Sequence, residues 1–461
     1  MTTITKLPPG PKGLPFLGSI RQLQQDRIGF LTANRKQYGD IVHFKLGTKH
    51  LYQLNNPEHI QYVLVKHPEQ FYKSPALKNA AMDSIGQGLL TSDGELHKRQ
   101  RRLVQPAFHY KRIAAYADTM VNYTNDMLAN WQNGKQVSIL NEMMHLTMRI
   151  VGKTLFDTDV TSDADSIGAA ISVGIEAMSK RLARPLPILE KLPTEANRSN
   201  RNALRVIDQT ITRFIEERKA SGEDKGDLLS MLLMAVDEQD GGQMTNKQVK
   251  DEAMTLFVAG HETTANALAW TFYLLAQHPE VEQKLAYEIT SVLDGRLPSL
   301  ADLPKMPYLE MVVKEAMRLY PPAWTVTREA QEDFELGGYT IPKGSILMMS
   351  MYIVHHDERY WDQPDAFLPE RFTPANEENI PKYAYFPFGG GPRICIGNQF
   401  AMMEAQLVLA TILQHYHLSL LPNQQIKLNP LVTLRPKPDI QMRLSQREVV
   451  KQDETVAVLS T

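Results

Sequence analysis

A single long helical pattern sets the scale of this fold. Thr245-Asn-Lys-Gln248 reads as a capping box, in which the Thr and Gln side chains satisfy amides that the first turn leaves unpaired. His278-Pro279 ends the run, because proline has no amide donor and restricts the residue before it. At 1.5 Å per residue the stretch between is roughly 50 Å long. Met254, Leu256, Phe257, Val258, Leu268, Trp270 and Phe272 make its centre apolar on nearly all sides, so it passes through a core rather than over one. A chain able to bury such an element must be large and helix-rich.

The rest of the sequence agrees. Residues 7–18, rich in proline and glycine, cannot continue a helix or a central strand and form a stiff lead-in. Alternation from Ile41 to Leu54 reads as a hairpin, and helical patterns then continue to about residue 295 with little strand signal. A further helix, about Tyr308 to Tyr320, stops at Pro321-Pro322, and strand patterns return between Phe334 and Val354 around a Gly337-Gly338 turn. The last helix runs from about Asn398 to Tyr416. The whole chain, 1–461, is expected to be one domain, mainly α with a small β-rich lobe, and the polar tail from 447 to 461 is expected to be mobile.

Several function classes are excluded early. The charges sum to −2, so no global field draws the chain to nucleic acid. The single cysteine cannot form an internal disulfide, nor build a structural zinc site or an iron–sulfur cluster. Met1 to Ile20 lacks the apolar core of a signal peptide, and no run reaches the 18 or so apolar residues of a membrane span. The expected location is therefore cytoplasmic, with at most loose membrane contact.

That one cysteine sits in Phe388-Gly-Gly-Gly391-Pro-Arg393-Ile-Cys395-Ile-Gly397, a glycine-rich loop directly before a helix. Unpaired amides and the positive end of a helix dipole favour a thiolate there, although a buried cysteine also serves as a small hydrophobe. A dinucleotide loop would need glycine in place of Ile394, and a phosphate loop would need Lys-Ser/Thr after its glycines. In the long helix, Glu262, Thr263 and Thr264 interrupt an apolar run, and Gly260 costs about 1 kcal/mol relative to alanine. Unpartnered buried polar groups cost about 1–3 kcal/mol each, so these groups need partners. One solution is a hydroxyl bonded back to the carbonyl four residues earlier, that of Ala259. His261-Glu262 does not make a zinc protease, since position 265 is alanine.

Taken together, the spacing Phe388, Gly391, Arg393, Cys395, Gly397 resembles the haem-binding signature of the cytochrome P-450 family. Ala259-Gly260-His261-Glu262-Thr263-Thr264, Glu315-x-x-Arg318, Pro369-Glu370-Arg371-Phe372 and the proline-rich start follow that family's order over nearly the whole chain. The resemblance implies a haem-thiolate monooxygenase of the cytochrome P-450 fold, with haem b as cofactor and Cys395 as axial ligand of its iron. It implies that Ala259 and Gly260 border the haem, and that Glu262 and Thr263 organise proton delivery to bound O2. Arg393, His97, Arg101 and Arg328 are implied as partners of the haem propionates, with Lys73 a weaker candidate. Spacing alone makes Glu315 and Arg318 an exposed pair worth about 0.2–0.5 kcal/mol, whereas the resemblance implies a buried structural network with Arg371. Implied partners are a hydrophobic substrate such as a fatty acid or terpenoid, and a separate ferredoxin or flavodoxin with its reductase. The electron donor would dock on the basic run from His97 to Arg102 and Lys111-Arg112, which also reads as a solvated face. A peroxide-driven peroxygenase and a non-catalytic haem sensor or electron carrier are the alternatives. The pocket is expected along Ala76 to Leu90, Arg181 to Leu192, the helix around Phe257 and Ala259, Ala323 to Val326, and Leu431-Val432. His355-His356 falls in a strand pattern that points the two rings to opposite faces, which predicts no joint metal site.

Overall fold

The computed structural model describes residues 7–160, 163–182, 192–237 and 241–447. Most of Arg181 to Leu192 and the tail beyond Arg447 therefore lie outside the described residues. Helices dominate. The long helix, α4, spans Asn246–Gln277, with the Thr245–Gln248 capping box formed as the sequence predicts and His278 ending it. It is flanked by α2 (Ile139–Phe156) and, through its middle and C-terminal half, by α5 (Pro307–Leu319) and α6 (Asn398–His415). Two further helices matter for the site, α1 (Gly94–Val104) and α3 (Ala164–Leu182). Phe257 meets Phe156 edge to face at 5.6 Å, and Trp270 stacks on Tyr320 at 4.2 Å, so α4 is buried from both sides.

The β lobe joins the two ends of the chain. β1 (Ile41–Leu46) and β2 (Lys49–Leu54) form the expected hairpin, and β3 (Phe71–Lys73), β4 (Val326–Ala330) and β5 (Ile346–Met349) complete a sheet in the order β1-β2-β5-β4-β3. β2 pairs with β5 in parallel and the other pairs are antiparallel. A small antiparallel ladder, β6 (Lys427–Pro430) with β7 (Leu434–Lys437), carries a tip at 431–433. A third sheet pairs Gln441–Gln446 with Gln136–Ser138 and with Tyr416–Leu420. The short strands at 71–73 and 136–138 lie where helix was expected, because their partners are contributed by distant residues. Another departure concerns His355-His356. Ser350 accepts a hydrogen bond from the Ile353 amide and starts a helix at Met351–His355, so the histidine pair closes a helical turn instead of a strand. Among the described residues no helix is long and apolar enough to cross a membrane.

Candidate active site

Elements from the whole length of the chain enclose one cavity of about 740 Å³, in the upper part of the range for small-molecule sites, about 300–1,000 Å³. Its walls come from the middle of α4 (Leu256, Val258, Ala259, Gly260), the glycine loop (Phe388, Gly389, Cys395, Gly397), Ala323 to Val326 and the hairpin tip Leu431 to Thr433. Ala76, Leu77, Ile85, Leu89 and Leu90 close another side. Phe257, expected on the wall, is instead buried against Phe156 and Phe214, and its neighbours Val258 and Ala259 face the cavity. Ile20, Leu23 and Arg27, near the start of the chain, also line it, which sequence reasoning missed.

The thiol is set by the loop that precedes α6. The Cys395 amide donates to the Phe388 carbonyl at 2.9 Å, closing the loop on itself. Gly391 sits at φ +63°, and a Cβ there would lie 1.9 Å from the Leu64 carbonyl oxygen, so the turn requires glycine. Gly391 does not itself line the cavity; it was expected among the cofactor contacts, and its role here is to hold the turn against Leu64. The surface of Cys395 is accessible, but it opens onto the cavity and not onto bulk water. Enclosure pushes the thiol up from its ordinary pKa, while the Gly397 amide and the Arg101 guanidinium act in the opposite direction. Arg101 also donates to the Ile394 carbonyl at 2.8 Å, fastening the residue before the thiol.

The cavity that holds the thiol is also lined by a group of basic side chains. Lys73 and Arg328 face each other directly across the β3–β4 pair, an arrangement that like charges disfavour. Both are buried, and His97, Arg101 and Arg393 line the same cavity. Lys73 donates to the Leu89 carbonyl at 2.7 Å, and Arg393 donates to the Ser92 carbonyl at 3.0 Å and to Asp93 at 2.6 Å. Burial and then the neighbouring cations lower the pKa of Lys73 well below normal, bring His97 down to about 3 and Arg328 down to about 10. Asp93, paired with Arg393 and with Lys78, answers part of this charge. Asp93 lies just before α1, and no local pattern in the sequence marks it as a partner of Arg393. An anionic guest would answer the rest.

The α4 notch shows the local back-bond that the sequence suggests, on a helix face that opens onto the cavity. Val258, Ala259, Gly260 and Thr263 are not fully buried, although they lie at the centre of a buried helix, because they face the cavity. The Thr263 hydroxyl donates to the Ala259 carbonyl at 3.0 Å, the local back-bond, and so turns its lone pairs outward. Gly260 serves helix contact as well, since a Cβ there would come within 3.1 Å of Val151 on α2. Glu262 is nearly inaccessible, and its Oε1 accepts from Thr433 Oγ1 and from Arg435 Nε, the latter at 2.8 Å. Neither partner was anticipated. Thr433 lies in the hairpin tip and Arg435 on β7, so no local pattern linked them to α4.

Glu315 and Arg318 are fully buried, not exposed as their spacing alone predicts. Arg318 also donates to the carbonyls of His355, Pro364 and Ala366, and Arg371 donates to Glu315 at 3.2 Å. His355 Nε2 accepts from the Phe386 amide at 3.1 Å, while Nδ1 lies 3.2 Å from the Arg318 carbonyl. The network thus reaches the segment leading into the glycine loop. His356 bonds locally to the Tyr352 carbonyl.

Among the described residues no three His, Cys, Asp or Glu side chains converge as metal ligands. A metal held by Cys395 would have to bring its other ligands with it, and a flat macrocycle carrying carboxylates fits a lone thiol beside buried cations. Comparison with known proteins agrees: residues 8–443 match the family model described as Cytochrome P450. The chain is 39% identical to a cyclooctatin synthase and 37% identical to a cyclooctat-9-en-7-ol 5-monooxygenase, both from Streptomyces melanosporofaciens, over 93% and 89% of each chain respectively. It is 33% identical to a pentalenene oxygenase of Streptomyces avermitilis, over 95% of this chain and 97% of the other.

Proposed function

The chain belongs to the cytochrome P450 family of haem monooxygenases, and from that premise we propose that Cys395 is the thiolate that ligates the haem b iron. Phe388, Gly397, Ala259 and Gly260 would border the haem, and Lys73, His97, Arg101, Arg328 and Arg393 would receive its propionates. The observation that carries this assignment is the cluster of basic side chains, buried Lys73 and Arg328 facing each other with Arg101 and Arg393, that lines the same cavity as the single thiol. When bound, the haem supplies the activation of O2 and the insertion of one oxygen atom into a C–H bond, and a thiolate ligand favours O–O cleavage.

The protein's own part is positioning and proton traffic. Gly397 and the α6 N-terminus favour negative charge on Sγ, and Arg101 holds the adjoining carbonyl. Thr263 Oγ1, with its proton committed to Ala259, accepts a hydrogen bond from water in the cavity and places that water. Glu262 relays a proton taken up from solvent to this water and returns to the carboxylate that Thr433 and Arg435 hold. The apolar walls exclude other water and orient an apolar substrate.

The names of two relatives refer to a hydrocarbon, pentalenene, and to an unsaturated alcohol, cyclooctat-9-en-7-ol. We place the substrate in that class, a terpenoid in preference to a fatty acid. A ferredoxin or flavodoxin, itself reduced by its reductase, would deliver electrons one at a time at the exposed basic face that includes Lys98, Arg102, Lys111 and Arg112. Reduction under carbon monoxide tests the ligand: wild type should show the thiolate-type Soret band, and Cys395→His should retain haem without it. Persistence of that band in Cys395→His would overturn the assignment. Titration with pentalenene, cyclooctat-9-en-7-ol and dodecanoic acid, followed by the haem spin shift, tests the substrate class. A shift with dodecanoic acid alone would exclude it.

A further inference from the structure

The tip between β6 and β7 is held from five directions. Arg27 donates to the Pro430 carbonyl at 2.6 Å, Trp324 to the Leu431 carbonyl at 2.8 Å and Trp270 to the Leu434 carbonyl at 2.9 Å. Ser179 on α3 accepts from the Val432 amide at 2.9 Å, and Pro322 accepts from the Leu434 amide at 2.9 Å. On its inner side Leu431, Val432 and Thr433 line the cavity. The same short stretch supplies the two groups that hold Glu262, Thr433 Oγ1 and Arg435 Nε. Both bond to Oε1, and Arg435 Nη2 lies 2.8 Å from that same oxygen. None of these contacts uses Oε2.

We propose that Arg435 and Thr433 are positioning residues that anchor one oxygen of Glu262, leave the other for proton transfer, and make this arrangement respond to what fills the cavity against the hairpin tip. A guest pressing on Leu431 and Val432 acts on a backbone that is continuous with Thr433 and Arg435. The tip is pinned by Ser179 on α3, Trp324 and Trp270, so displacement is relayed to the side chains holding Glu262. Coupling is reciprocal: whatever the occupant does to the ion pair, loss of the ion pair does to binding of the occupant. The inference rests on the reading of Glu262 as the proton-delivering acid.

The test needs no knowledge of the substrate. The haem-loaded protein is supplied with electrons and O2, and peroxide is measured per electron pair. Two electrons and two protons yield peroxide, whereas four electrons and four protons yield two waters, so failed proton delivery raises the peroxide share. Glu262→Gln and Arg435→Met should each raise it about threefold or more. The double variant should match Glu262→Gln, and Arg435→Lys should restore much of the wild-type value. A structural role for Arg435 alone would give additive losses and no rescue by lysine. If Glu262→Gln changes nothing, the reading of Glu262 fails. If Glu262→Gln raises peroxide and Arg435→Met does not, only the present inference fails. A second measurement is independent of turnover. Filling the cavity with 1-dodecylimidazole should alter amide exchange at 431–435 in wild type and Arg435→Lys, and alter it less in Arg435→Met. Equal changes in all three proteins would overturn the link between occupancy and the ion pair.

Discussion

Arg318 donates through Nε and Nη2 to the two carboxylate oxygens of Glu315, at 2.6 and 2.8 Å, and neither side chain reaches solvent. Removing one member leaves the other charged and buried, which costs about 3–5 kcal/mol. Glu315→Gln and Arg318→Met should therefore yield little haem-loaded protein, with a clear fall in the unfolding midpoint. Arg371→Met, at the less deeply buried edge of the network, should cost less. Thermal melts and haem content per chain measure both effects.

Two glycines of the cysteine loop should separate folding from cofactor capture. Gly391→Ala places a Cβ against the Leu64 carbonyl and forces a non-glycine residue to φ +63°, which costs about 1–2 kcal/mol before any clash is counted. That variant should be destabilised with or without haem. Gly397→Ala, at φ −94° and with its nearest neighbour 3.6 Å away, should fold normally and show its effect in haem affinity. Equal melting temperatures for the two haem-free variants would contradict this division.

Lys73→Met should move two properties in opposite directions. In the haem-free protein it removes a buried charge facing Arg328, so stability should rise. It also removes a cation proposed for a propionate, so haem should bind more weakly. Denaturant titration of the haem-free protein and haem titration measure the two quantities separately. A fall in both would mean that the Leu89 contact outweighs the charge.

His97 predicts a pH dependence. Burial, followed by Arg393, Lys73, Arg101 and Arg328, brings its folded-state pKa down to about 3 in the haem-free protein, against about 6.5 in an unfolded chain. Between those values the unfolded chain binds a proton that the folded one refuses. The stability associated with His97 is thus fully present above pH 6.5 or so and declines as pH falls towards 3. His97→Gln should flatten the haem-free stability curve in that window, as measured by denaturant unfolding at stepped pH.

Thr263→Ala keeps the helix, because the lost hydroxyl was bonded only to its own turn at Ala259. Haem content should match wild type, and peroxide released per electron pair should rise several-fold. Unchanged peroxide would remove Thr263 from the proton path.

What could be read from the chain depended on whether a signal was local. The α4 boundaries came from the Thr245–Gln248 box and His278-Pro279, all within the helix or touching it. Glu315 and Arg318 show the opposite case. Their spacing describes only a helix face, and the surroundings that bury that face arrive with Pro364, Ala366 and Leu368, some fifty residues later. The alternation near His355 masked a helical turn started by Ser350. Glu262 read correctly as a polar break needing a partner, but the partners, Thr433 and Arg435, are fixed by tertiary placement of a hairpin tip that no periodicity in α4 could announce.

The cavity wall has a consequence for synthesis. Ile20, Leu23 and Arg27 emerge well before Cys395 and Leu431 to Thr433, yet all border one chamber. A chain growing from its N-terminus therefore cannot close that chamber until the final hairpin has left the ribosome. Lasting haem capture waits for that hairpin, and until then the apolar walls are open to chaperones and to neighbouring nascent chains.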